Sequence, residues 1–314
     1  MAEDDLIALI AGLADRDSSD VVIGIGDDAA VLDIPEDHLF VTCTDTLVAG
    51  VHFPQATSAS SVGFKSLAVN LSDMAAMGAT PRWAQLSLTL PAADESWVRE
   101  FISGFLKLAD RANVTLVGGD TCSGPLSITV QVMGIAAKGK VLNRGTASPG
   151  ELLAVSGWLG DAAFVLRQLG EGQSVPAAQL RRLNEPEPRL GLGSALAGIA
   201  SSCIDISDGL MLDLERLLRH SGCGARVELE SLPVSEYLSR IPAEQRQELQ
   251  LAGGDDYELC FSIPSSQLTL LDELATRLEI PVSVIGKVTN SPGISCYDEN
   301  GVVIELNNTG FQHF

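Results

Sequence analysis

The sequence predicts an α/β protein whose helices and strands form layers in two domains. At 314 residues, the chain has the length of two ordinary domains with separate cores. Helix and strand patterns alternate along nearly all of it, which is typical of α/β layering. A polar, glycine-containing stretch from Lys138 to Gly150 interrupts the alternation. We therefore place the boundary near residue 140, with an N-terminal domain at 1–140 and a second domain at 141–314.

Composition and charge exclude several classes of protein. Hydrophobic residues make up 46% of the chain and charged residues 19%, which is typical of a globular protein. The formal net charge of −21 would repel nucleic acid and anionic membranes, so neither is expected as a main partner. No apolar run has the length of a membrane span, and the acidic N-terminus lacks the features of a signal peptide. The six cysteines include no CxxC pair, which disfavours zinc or disulfides and favours a reducing cytoplasm.

The first domain is predicted to contain strands and two long helices after a short amphipathic helix. Trp83–Leu90 alternates polar and apolar side chains as a half-buried strand does. The helix at Ser58–Met77 has Ser58 or Ser60 as a candidate N-cap and Gly78 as a candidate stop. The other predicted elements are a helix at Leu6–Leu13, strands at Ala29–Leu32 and His38–Thr42, a helix at Glu95–Arg111, and strands at Val114–Val117 and Ser127–Ala136.

The second domain repeats this alternation. Its predicted strands are short and rich in apolar residues, and its predicted helices have one apolar face. No short-period repeat or low-complexity tract interrupts it. The predicted elements are a strand at Glu151–Ser156, helices at Asp161–Leu169 and Arg189–Ala200, a strand at Cys203–Ile206, a helix at Asp208–His220, strands at Arg226–Glu230 and Tyr257–Ile263, a helix at Gln267–Leu278, and strands at Val282–Val288 and Val302–Leu306.

Five short segments place carboxylates beside glycines or at the ends of strands. Mg²⁺ prefers oxygen ligands, commonly one or two carboxylates together with waters and substrate phosphates. Glycines beside the acids let a phosphate approach the backbone. Clustered carboxylates without a cation would repel one another, so we expect these acids to converge on divalent metal. The segments are Gly24–Ala30, Thr42–Thr46, Asn70–Asp73, Gly118–Thr121 and Asp205–Gly209.

Each acidic segment also has a purely structural explanation. Gly26-Asp27-Asp28 can be a solvated turn, and Gly118-Gly119-Asp120 can be an ordinary turn after a strand. Asp73 can pair with a lysine of its own helix. Ser207 and Asp208 can be the N-cap and first-turn acid of the following helix. The occurrence of all five segments in one chain favours the metal site.

Several common catalytic motifs are missing from the sequence. There is no GxxxxGK[ST] phosphate loop, which excludes a Walker-type nucleotide site. The chain also lacks the HRD and DFG motifs of protein kinases, the GxSxG elbow of hydrolases and the HExxH motif of zinc proteases. Its four histidines are too dispersed in sequence to indicate a zinc cluster.

The acidic segments belong to longer motifs, which are GIGDDAA at Gly24–Ala30, TDTLVAGVHF at Thr44–Phe53, KSLAVNLSDMAAMGA at Lys65–Ala79, GGDT at Gly118–Thr121, IDISDGL at Ile204–Leu210, GGDDYEL at Gly253–Leu259 and GFQHF at Gly310–Phe314. In this combination they resemble the thiamine-monophosphate kinases, within the superfamily of aminoimidazole ribonucleotide synthetase, selenophosphate synthetase and a hydrogenase-maturation protein. The resemblance covers essentially the whole chain. It implies two domains of the aminoimidazole ribonucleotide synthetase-like fold and a homodimer built through the N-terminal sheets.

The resemblance further implies an ATP-dependent, Mg²⁺-dependent conversion of thiamine monophosphate to thiamine diphosphate. It implies that the N-terminal domain binds metal and ATP and forms the dimer, and that the second domain completes the nucleotide and substrate cleft. Asp45, Asp73 and Asp120 are the implied catalytic residues. Several Mg²⁺ ions are implied at Asp28, Cys43, Thr44, Asp45, Asp73, Asp120, Asp205 and Asp208, ATP at Gly119, Asp120, Arg144 and Ser207, and thiamine monophosphate at His52, Asp255 and Phe311.

Three residues depart from the pattern of that family. Cys43 stands where serine is usual, and because a thiol is a poor Mg²⁺ ligand, only its backbone carbonyl would serve. Asp255 replaces a usual glutamate, which shortens the side chain by one methylene. Phe311 stands where tryptophan or tyrosine is common, which keeps the flat ring but removes its polar tip.

The chemistry of the implied acceptor predicts direct transfer. A phosphate monoester has a second pKa of about 6, so the acceptor is largely a dianion at neutral pH and needs no general base. We therefore expect in-line transfer without a phosphoenzyme. One alternative is another ATP-using member of the superfamily, although the chain lacks the N-terminal or C-terminal cysteine that two of those relatives require. Another is a non-catalytic module that binds divalent metal, although no EF-hand loop is present.

Overall fold

The computed structural model describes residues 3–14, 18–304 and 310–311, and the chain divides into two compact units. The N-terminal unit comprises Met1–Met74 and Ala79–Gly139, and the C-terminal unit comprises Ala75–Gly78 and Lys140–Phe314. The division after Gly139 lies beside the residue at which the sequence predicts a boundary. The short stretch Ala75–Gly78 is grouped with the C-terminal unit, which the sequence does not predict. Across the described ranges, no helix combines the length and the apolar character that crossing a membrane requires.

The described elements of the N-terminal unit are α1 (Glu3–Ala14), β1 (Val21–Ile23), β2 (Val31–Leu32), β3 (His38–Val48), α2 (Ala59–Ala76), β4 (Thr80–Leu90), α3 (Glu95–Ala112), β5 (Thr115–Ser123) and β6 (Ser127–Ala137). Four strands form one sheet in the order β3-β6-β4-β5, and β1 pairs with β2 separately. Strands β4 and β5 are parallel, whereas the other neighbours are antiparallel.

Local sequence signals set both ends of α2. At its start, the hydroxyl of Ser58 accepts the backbone N–H of Ser61 at 3.3 Å, as an N-cap side chain does. At its end, Gly78 has φ of 64°, a conformation that glycine adopts without a Cβ clash, and its N–H donates to the carbonyl of Ala75. The predicted cap at Ser58 and stop at Gly78 are confirmed.

The pleat of the four-stranded sheet separates a covered face from a polar face. Cys43 and Asp45 of β3 point to the face covered by α2, where the thiol of Cys43 donates to the backbone oxygen of Asn70 at 3.3 Å. Thr46 points to the other face, where its hydroxyl bonds that of Thr129 at 2.8 Å. The core between sheet and helices is apolar and includes Leu67, Leu71, Leu86, Phe101, Phe105 and Val130.

The described elements of the C-terminal unit are β7 (Leu152–Ser156), α4 (Asp161–Gly170), α5 (Ala177–Asn184), α6 (Leu190–Leu196), β8 (Ser202–Ile206), α7 (Leu210–Ser221), β9 (Gly224–Glu228), α8 (Ala243–Ala252), β10 (Glu258–Ile263), α9 (Leu268–Leu278), β11 (Val282–Thr289), β12 (Gly293–Tyr297) and β13 (Val303–Ile304). Its sheet has the order β13-β12-β9-β11-β7-β10-β8. Only β12 and β9 are parallel neighbours among these described strands.

Helices cover both faces of this seven-stranded sheet. On one face, Leu214 of α7 packs in an apolar cluster with Val155 of β7. On the other, Leu192 of α6 and Leu271 of α9 cluster with Phe261 of β10. Strand β10 is therefore buried along its whole length, and four of its six residues are apolar. Mixed sheets layered with helices confirm the predicted α/β class.

The structure adds or moves several elements relative to the sequence prediction. The sequence does not predict α5, α8, β1 or β12. The helix expected at Arg189–Ala200 is limited to α6, since the chain turns at Gly198 with φ of 99°. The strand expected to end at Val117 continues to Ser123, so Gly118-Gly119-Asp120 lies inside β5 and not in a turn. Of the strand expected at Val302–Leu306, the structure describes residues 302–304, of which Val303–Ile304 form β13, and the remainder lies outside the described residues.

Candidate functional site

A cavity of about 260 Å³ in the N-terminal unit brings two of the predicted acidic segments together. Asp28 reaches it from the loop before β2, and Asp120 reaches it from β5. Both residues are exposed, so their carboxylates remain open to a ligand from solvent. The backbone of Gly118 and Gly119 forms part of the cavity wall, and the larger apolar residues that line the cavity are Ile7, Ile10, Ile25, Leu86, Leu116 and Val117.

Gly119 holds the cavity wall close to the neighbouring strand. Its φ is 153°, and a Cβ at this position would lie 1.8 Å from the backbone oxygen of Leu86. No side chain fits that distance, so β5 can pair with β4 here only through a glycine. The pairing sets Asp120 opposite Ser87, on the polar face of the sheet.

Asp45 does not share this cavity. The strand registers align Asp45 with Gly119 across the sheet, one residue before Asp120. Because consecutive residues of a strand point to opposite faces, Asp45 and Asp120 project from opposite faces, on strands that two others separate. Of the four carboxylates expected to converge, those of Asp28 and Asp120 line this cavity, and those of Asp45 and Asp73 are not among its lining residues.

The remaining metal candidates of this unit lie on β3 and α2. The thiol of Cys43 is engaged with Asn70, which leaves the backbone carbonyl as its possible metal ligand. Thr44 is exposed on the polar face of the sheet. Asp73 is half-buried on α2, three residues after Asn70 and close to one helical turn from it.

His52 is fixed in a compact turn after β3. Its Nδ1 accepts the backbone N–H of Val48 at 2.9 Å, so in the neutral ring the proton lies on Nε2. Its backbone oxygen accepts a hydrogen bond from Nζ of Lys65 at 3.3 Å, and Lys65 is almost fully buried. The sequence gives no hint of this buried lysine beyond its place in the KSLAVNLSDMAAMGA motif. Its charge supports the turn that carries His52.

Mg²⁺ is the cation that the cavity residues would fit. Asp28 and Asp120 offer carboxylate oxygens, and Mg²⁺ commonly takes one or two carboxylates with water and phosphate oxygens. Within the described ranges, no three His, Cys, Asp or Glu side chains are grouped closely enough to hold a metal by themselves. The pair thus fits a cation bound jointly with a phosphate and not an all-protein cage.

In the C-terminal unit, a buried carboxylate organises the Ser207–Asp208 loop. Oδ2 of Asp213 accepts the backbone N–H groups of Ser207 at 3.0 Å and Asp208 at 2.9 Å. Arg216 bonds Oδ1 of Asp213 at 2.7 Å and Oδ2 of Asp208 at 2.6 Å. Helix α7 begins only at Leu210, so Ser207 and Asp208 precede the helix and do not cap it as a structural explanation would require.

Asp213 is a site residue that the sequence analysis misses. Burial raises its pKa to about 6, against the hydrogen bonds from the Asp208 N–H and Arg216. Its position in the sequence could have indicated this role. Asp213 shares a helical face with Leu210, Leu214 and Leu217, where an apolar residue is expected. An acid on a leucine face indicates a buried polar role.

Backbone hydrogen bonds gather further candidates around this loop. The N–H of Asp255 donates to the carbonyl of Ser207 at 2.8 Å, and the N–H of Phe311 donates to the carbonyl of Asp208 at 3.0 Å. The ring of Phe311 is 45% exposed and can receive a ligand. Asp205 is buried at the end of β8, two residues before this loop. Ser207, Asp208, Asp255 and Phe311 therefore form one cluster.

Arg144 lies in the exposed segment before β7. Its carbonyl accepts a hydrogen bond from the hydroxyl of Ser221, the last residue of α7, at 3.0 Å. This bond fixes the backbone of Arg144, while its side chain is exposed to solvent. A guanidinium in this position is available to an anionic ligand.

Two acids of the GGDDYEL segment, Asp256 and Glu258, are buried and hydrogen-bonded to neighbouring elements. Glu258 is 1% exposed and bonds Nε of Arg189 at 2.6 Å. Asp256 is 4% exposed, and its Oδ2 accepts the backbone N–H of Gly160 at 2.8 Å. Its Oδ1 has no hydrogen-bond partner among the described residues. Burial raises the pKa of Asp256 well above the ordinary value for aspartate, against the hydrogen bond from the N–H of Gly160.

Both units of the chain match the family of AIR synthase related proteins. Residues 26–136 match the N-terminal domain of AIR synthase related proteins, and residues 148–299 match the C-terminal domain of the same family. These two ranges lie on either side of the division after Gly139. The chain is therefore an AIR synthase related protein with both domains of that family.

Within that class, the chain is similar over nearly its full length to thiamine-monophosphate kinases. The thiamine-monophosphate kinase of Escherichia coli (strain K12) is 42% identical over 98% of this chain and 97% of its own length. The crystal structure of thiamine-monophosphate kinase from Stenotrophomonas maltophilia K279a superposes with a TM-score of 0.86 at 40% identity, covering 96% of each chain. The solved structure of AaThiL complexed with AMPPCP and TMP superposes with a TM-score of 0.78 at 29% identity. The match covers 99% of this chain and 97% of the AaThiL chain. The chain belongs to the thiamine-monophosphate kinase family, which confirms the resemblance of its motifs.

Proposed function

We propose that the protein transfers the γ-phosphoryl group of ATP to thiamine monophosphate, giving thiamine diphosphate and ADP. The observation that carries this proposal is the cavity in which the carboxylates of Asp28 and Asp120 flank the Gly118–Gly119 backbone. Acids beside an open glycine backbone suit a phosphate bound together with a divalent cation. The names of the full-length relatives support the donor and the acceptor.

Several Mg²⁺ ions are the proposed cofactors. Mg²⁺ held by these carboxylates would supply neutralisation of the negative charge of the phosphates. The separation of Asp45 from the cavity of Asp120 supports more than one ion, since each face of the sheet has its own acids. The proposed ligands are Asp28 and Asp120 in the cavity, Asp45, Asp73, Thr44 and the carbonyl of Cys43 around β3 and α2, and Asp205 and Asp208 in the C-terminal unit.

The proposed ATP contacts have different chemical roles. Gly119 lets a phosphate approach the backbone beside Asp120. The guanidinium of Arg144 binds phosphate oxygens through its planar fork. The N–H of Ser207 is engaged by Asp213, so its hydroxyl is the group that meets the nucleotide.

The proposed substrate contacts are His52, Asp255 and Phe311. The half-exposed ring of Phe311 can stack on the cationic thiazolium of thiamine. Asp255 offers a carboxylate to the amino group of the pyrimidine. His52 presents Nε2, because its Nδ1 is already bonded within the turn.

The proposed reaction is a direct in-line displacement. An oxygen of the acceptor phosphate forms a bond to the γ-phosphorus, and the bond from that phosphorus to the β,γ-bridging oxygen breaks as ADP leaves. The acceptor is already largely dianionic at neutral pH, so no residue is needed as a general base. The residues bind and align the two phosphates, which is the main requirement of phosphoryl transfer.

We also propose a homodimer formed through the N-terminal sheets, working in the cytoplasm. Leu39 is 44% exposed and Phe40 is 46% exposed on the edge strand β3, and a second copy would cover them. All six cysteines are free thiols, which suits a reducing compartment. Light scattering on the purified protein tests the dimer, which a monomeric mass would contradict.

The release of ADP tests the proposed activity. The protein is incubated with ATP, Mg²⁺ and either thiamine monophosphate or thiamine. We expect ADP release with thiamine monophosphate and little with thiamine, because thiamine lacks the phosphate acceptor. Equal release with both, or release that needs neither, would contradict the proposal.

A further inference from the structure

Two residues of the GGDDYEL segment have a strained backbone. Asp255 has φ of 68° and Tyr257 has φ of 51°, with Asp256 between them. Left-handed backbone is uncommon for any residue with a side chain and is a clear outlier for a bulky one such as tyrosine. Such strain persists only where the surrounding fold enforces it, and it is concentrated at functional sites.

Three hydrogen bonds enforce this conformation. The N–H of Asp255 donates to the carbonyl of Ser207 at 2.8 Å, and the N–H of Tyr257 donates to the carbonyl of Ile206 at 2.8 Å. Between them, the buried side chain of Asp256 accepts the N–H of Gly160 at 2.8 Å. The three consecutive residues are thus fixed to β8, to the loop after it and to the start of α4.

The side chain of Tyr257 adds a hydrogen bond to the side chain of Asp255. Its hydroxyl donates to Oδ1 of Asp255 at 3.0 Å, and Tyr257 is only 7% exposed. A glycine at this position would relieve the backbone strain, and a phenylalanine would fill the same space. Neither would supply the hydroxyl, so the bond to Asp255 is what tyrosine adds.

We infer that Tyr257 is a positioning residue that fixes the carboxylate of Asp255 to receive an N–H donor of the substrate's ring system. This inference rests on the proposed function, in which Asp255 contacts the aminopyrimidine of thiamine monophosphate. The hydroxyl bond to Oδ1 sets the plane of the carboxylate and hence the direction of its other oxygen. An aspartate has only two side-chain torsions, so one bond and the fixed backbone orient it almost completely.

The test is a comparison of Tyr257→Phe with Asp255→Asn, singly and combined. Calorimetry measures the Kd for thiamine monophosphate without ATP, and steady-state kinetics give kcat and both KM values. Tyr297→Phe is the matched control, since it removes a phenol hydroxyl from β12, where the ring stacks on the guanidinium of Arg226. Thermal unfolding checks that each variant is folded, which we expect because the tyrosine variants keep the aromatic ring and Asp255→Asn keeps the size of the side chain.

We expect Tyr257→Phe to raise the Kd and KM for thiamine monophosphate about tenfold, the effect of losing one hydrogen bond to a charged group. Its kcat and its KM for ATP should stay within about twofold of wild type, as should all constants of Tyr297→Phe. Adding Tyr257→Phe to Asp255→Asn should weaken binding no further, because the tyrosine acts through the aspartate.

Three results would overturn the inference. They are an unchanged Kd in Tyr257→Phe, an equal weakening of both substrates, and independent effects in the double variant. The first removes any role in binding, the second indicates a purely structural role, and the third uncouples Tyr257 from Asp255. A wild-type protein that neither binds nor phosphorylates thiamine monophosphate would contradict the proposed function itself, which is a distinguishable outcome.

Discussion

Oδ2 of Asp213 lies 2.9 Å from the backbone nitrogen of Asp208 and accepts its hydrogen bond. The same oxygen accepts the N–H of Ser207 at 3.0 Å, and the carboxylate is 1% exposed. One buried side chain therefore sets the backbone of two residues to which we assign ATP and metal contacts. Loops without regular structure need such partners, because their buried N–H groups have no acceptors from a helix or a neighbouring strand.

Replacing Asp213 by alanine should destabilise the protein. Asp213→Ala removes the acceptor of the Ser207 and Asp208 N–H groups and one of the two carboxylates that Arg216 bonds, and an unsatisfied buried group costs about 1–3 kcal/mol. Urea unfolding measures the free energy of unfolding. Asp272→Ala, at an exposed position of α9, is the control and should change stability by no more than about 0.5 kcal/mol. Equal effects of the two variants would show that the loop does not depend on Asp213.

The raised pKa of the Asp256 carboxyl predicts that the effect of replacing it depends on pH. Burial raises its pKa well above 3.8, so the folded protein keeps a proton that the unfolded chain releases as pH rises. The stability that this proton provides is complete below pH 3.8 and is lost as pH rises through the raised pKa. Asp256→Asn mimics the neutral acid at every pH, so its stability relative to wild type should increase with pH.

Urea unfolding of wild type and Asp256→Asn between about pH 5 and pH 8 measures this difference. The control is Asp272→Asn, whose exposed side chain should give a difference from wild type that does not vary with pH. An Asp256→Asn curve parallel to that of wild type would mean that Asp256 is ionised in the folded protein.

Removal of the charge at Asp120 should reduce turnover and spare the fold. Asp120→Asn weakens the proposed binding of Mg²⁺ and phosphate, and loss of such electrostatic stabilisation typically lowers kcat by about 10² or more. Because Asp120 is exposed, the free energy of unfolding should change little. Asp37→Asn, an exposed acid in the turn before β3, is the matched control and should leave kcat unchanged. Wild-type turnover of Asp120→Asn at limiting Mg²⁺ would remove Asp120 from the site.

The close approach of β5 to β4 predicts a large effect of a single methyl group. In Gly119→Ala, the Cβ would lie 1.8 Å from the oxygen of Leu86, so the strand must move. We expect a loss of more than about 2 kcal/mol in the free energy of unfolding, as for other strained backbone positions. Gly12→Ala is the control, because nothing lies within 4 Å of that added Cβ. It should stabilise α1 slightly, and a similar response at both positions would contradict the described packing.

Much of the fold could be predicted from the sequence, because its signals are local. The N-cap at Ser58, the stop at Gly78 and the alternation in Trp83–Leu90 each depend on a few neighbouring residues. The elements that the sequence analysis misses, such as α8 and β12, have weak patterns, and their positions depend on partners elsewhere in the C-terminal unit. The extent of β5 also depends on pairing, since Gly118 and Gly119 are poor strand formers when considered alone.

The site was harder to predict, because side-chain direction depends on register. The sequence identifies acids such as Asp45 and Asp120, but the face on which each lies follows from pairing across four strands. The cluster of Asp255, Phe311 and the Ser207 loop depends on backbone hydrogen bonds between distant segments. Asp213 and Tyr257 act through other residues, so their own motifs give little sign of their roles.

Rapid-quench product analysis distinguishes direct, metal-assisted transfer of phosphate to thiamine monophosphate from transfer through a phosphoenzyme. With ATP carrying a labelled γ-phosphate, we expect labelled thiamine diphosphate to form in step with ADP when Mg²⁺ is present. We expect no such product after chelation, and no labelled protein when the acceptor is omitted. Labelled protein formed without acceptor, or product formation undiminished by chelation, would contradict direct, metal-assisted transfer.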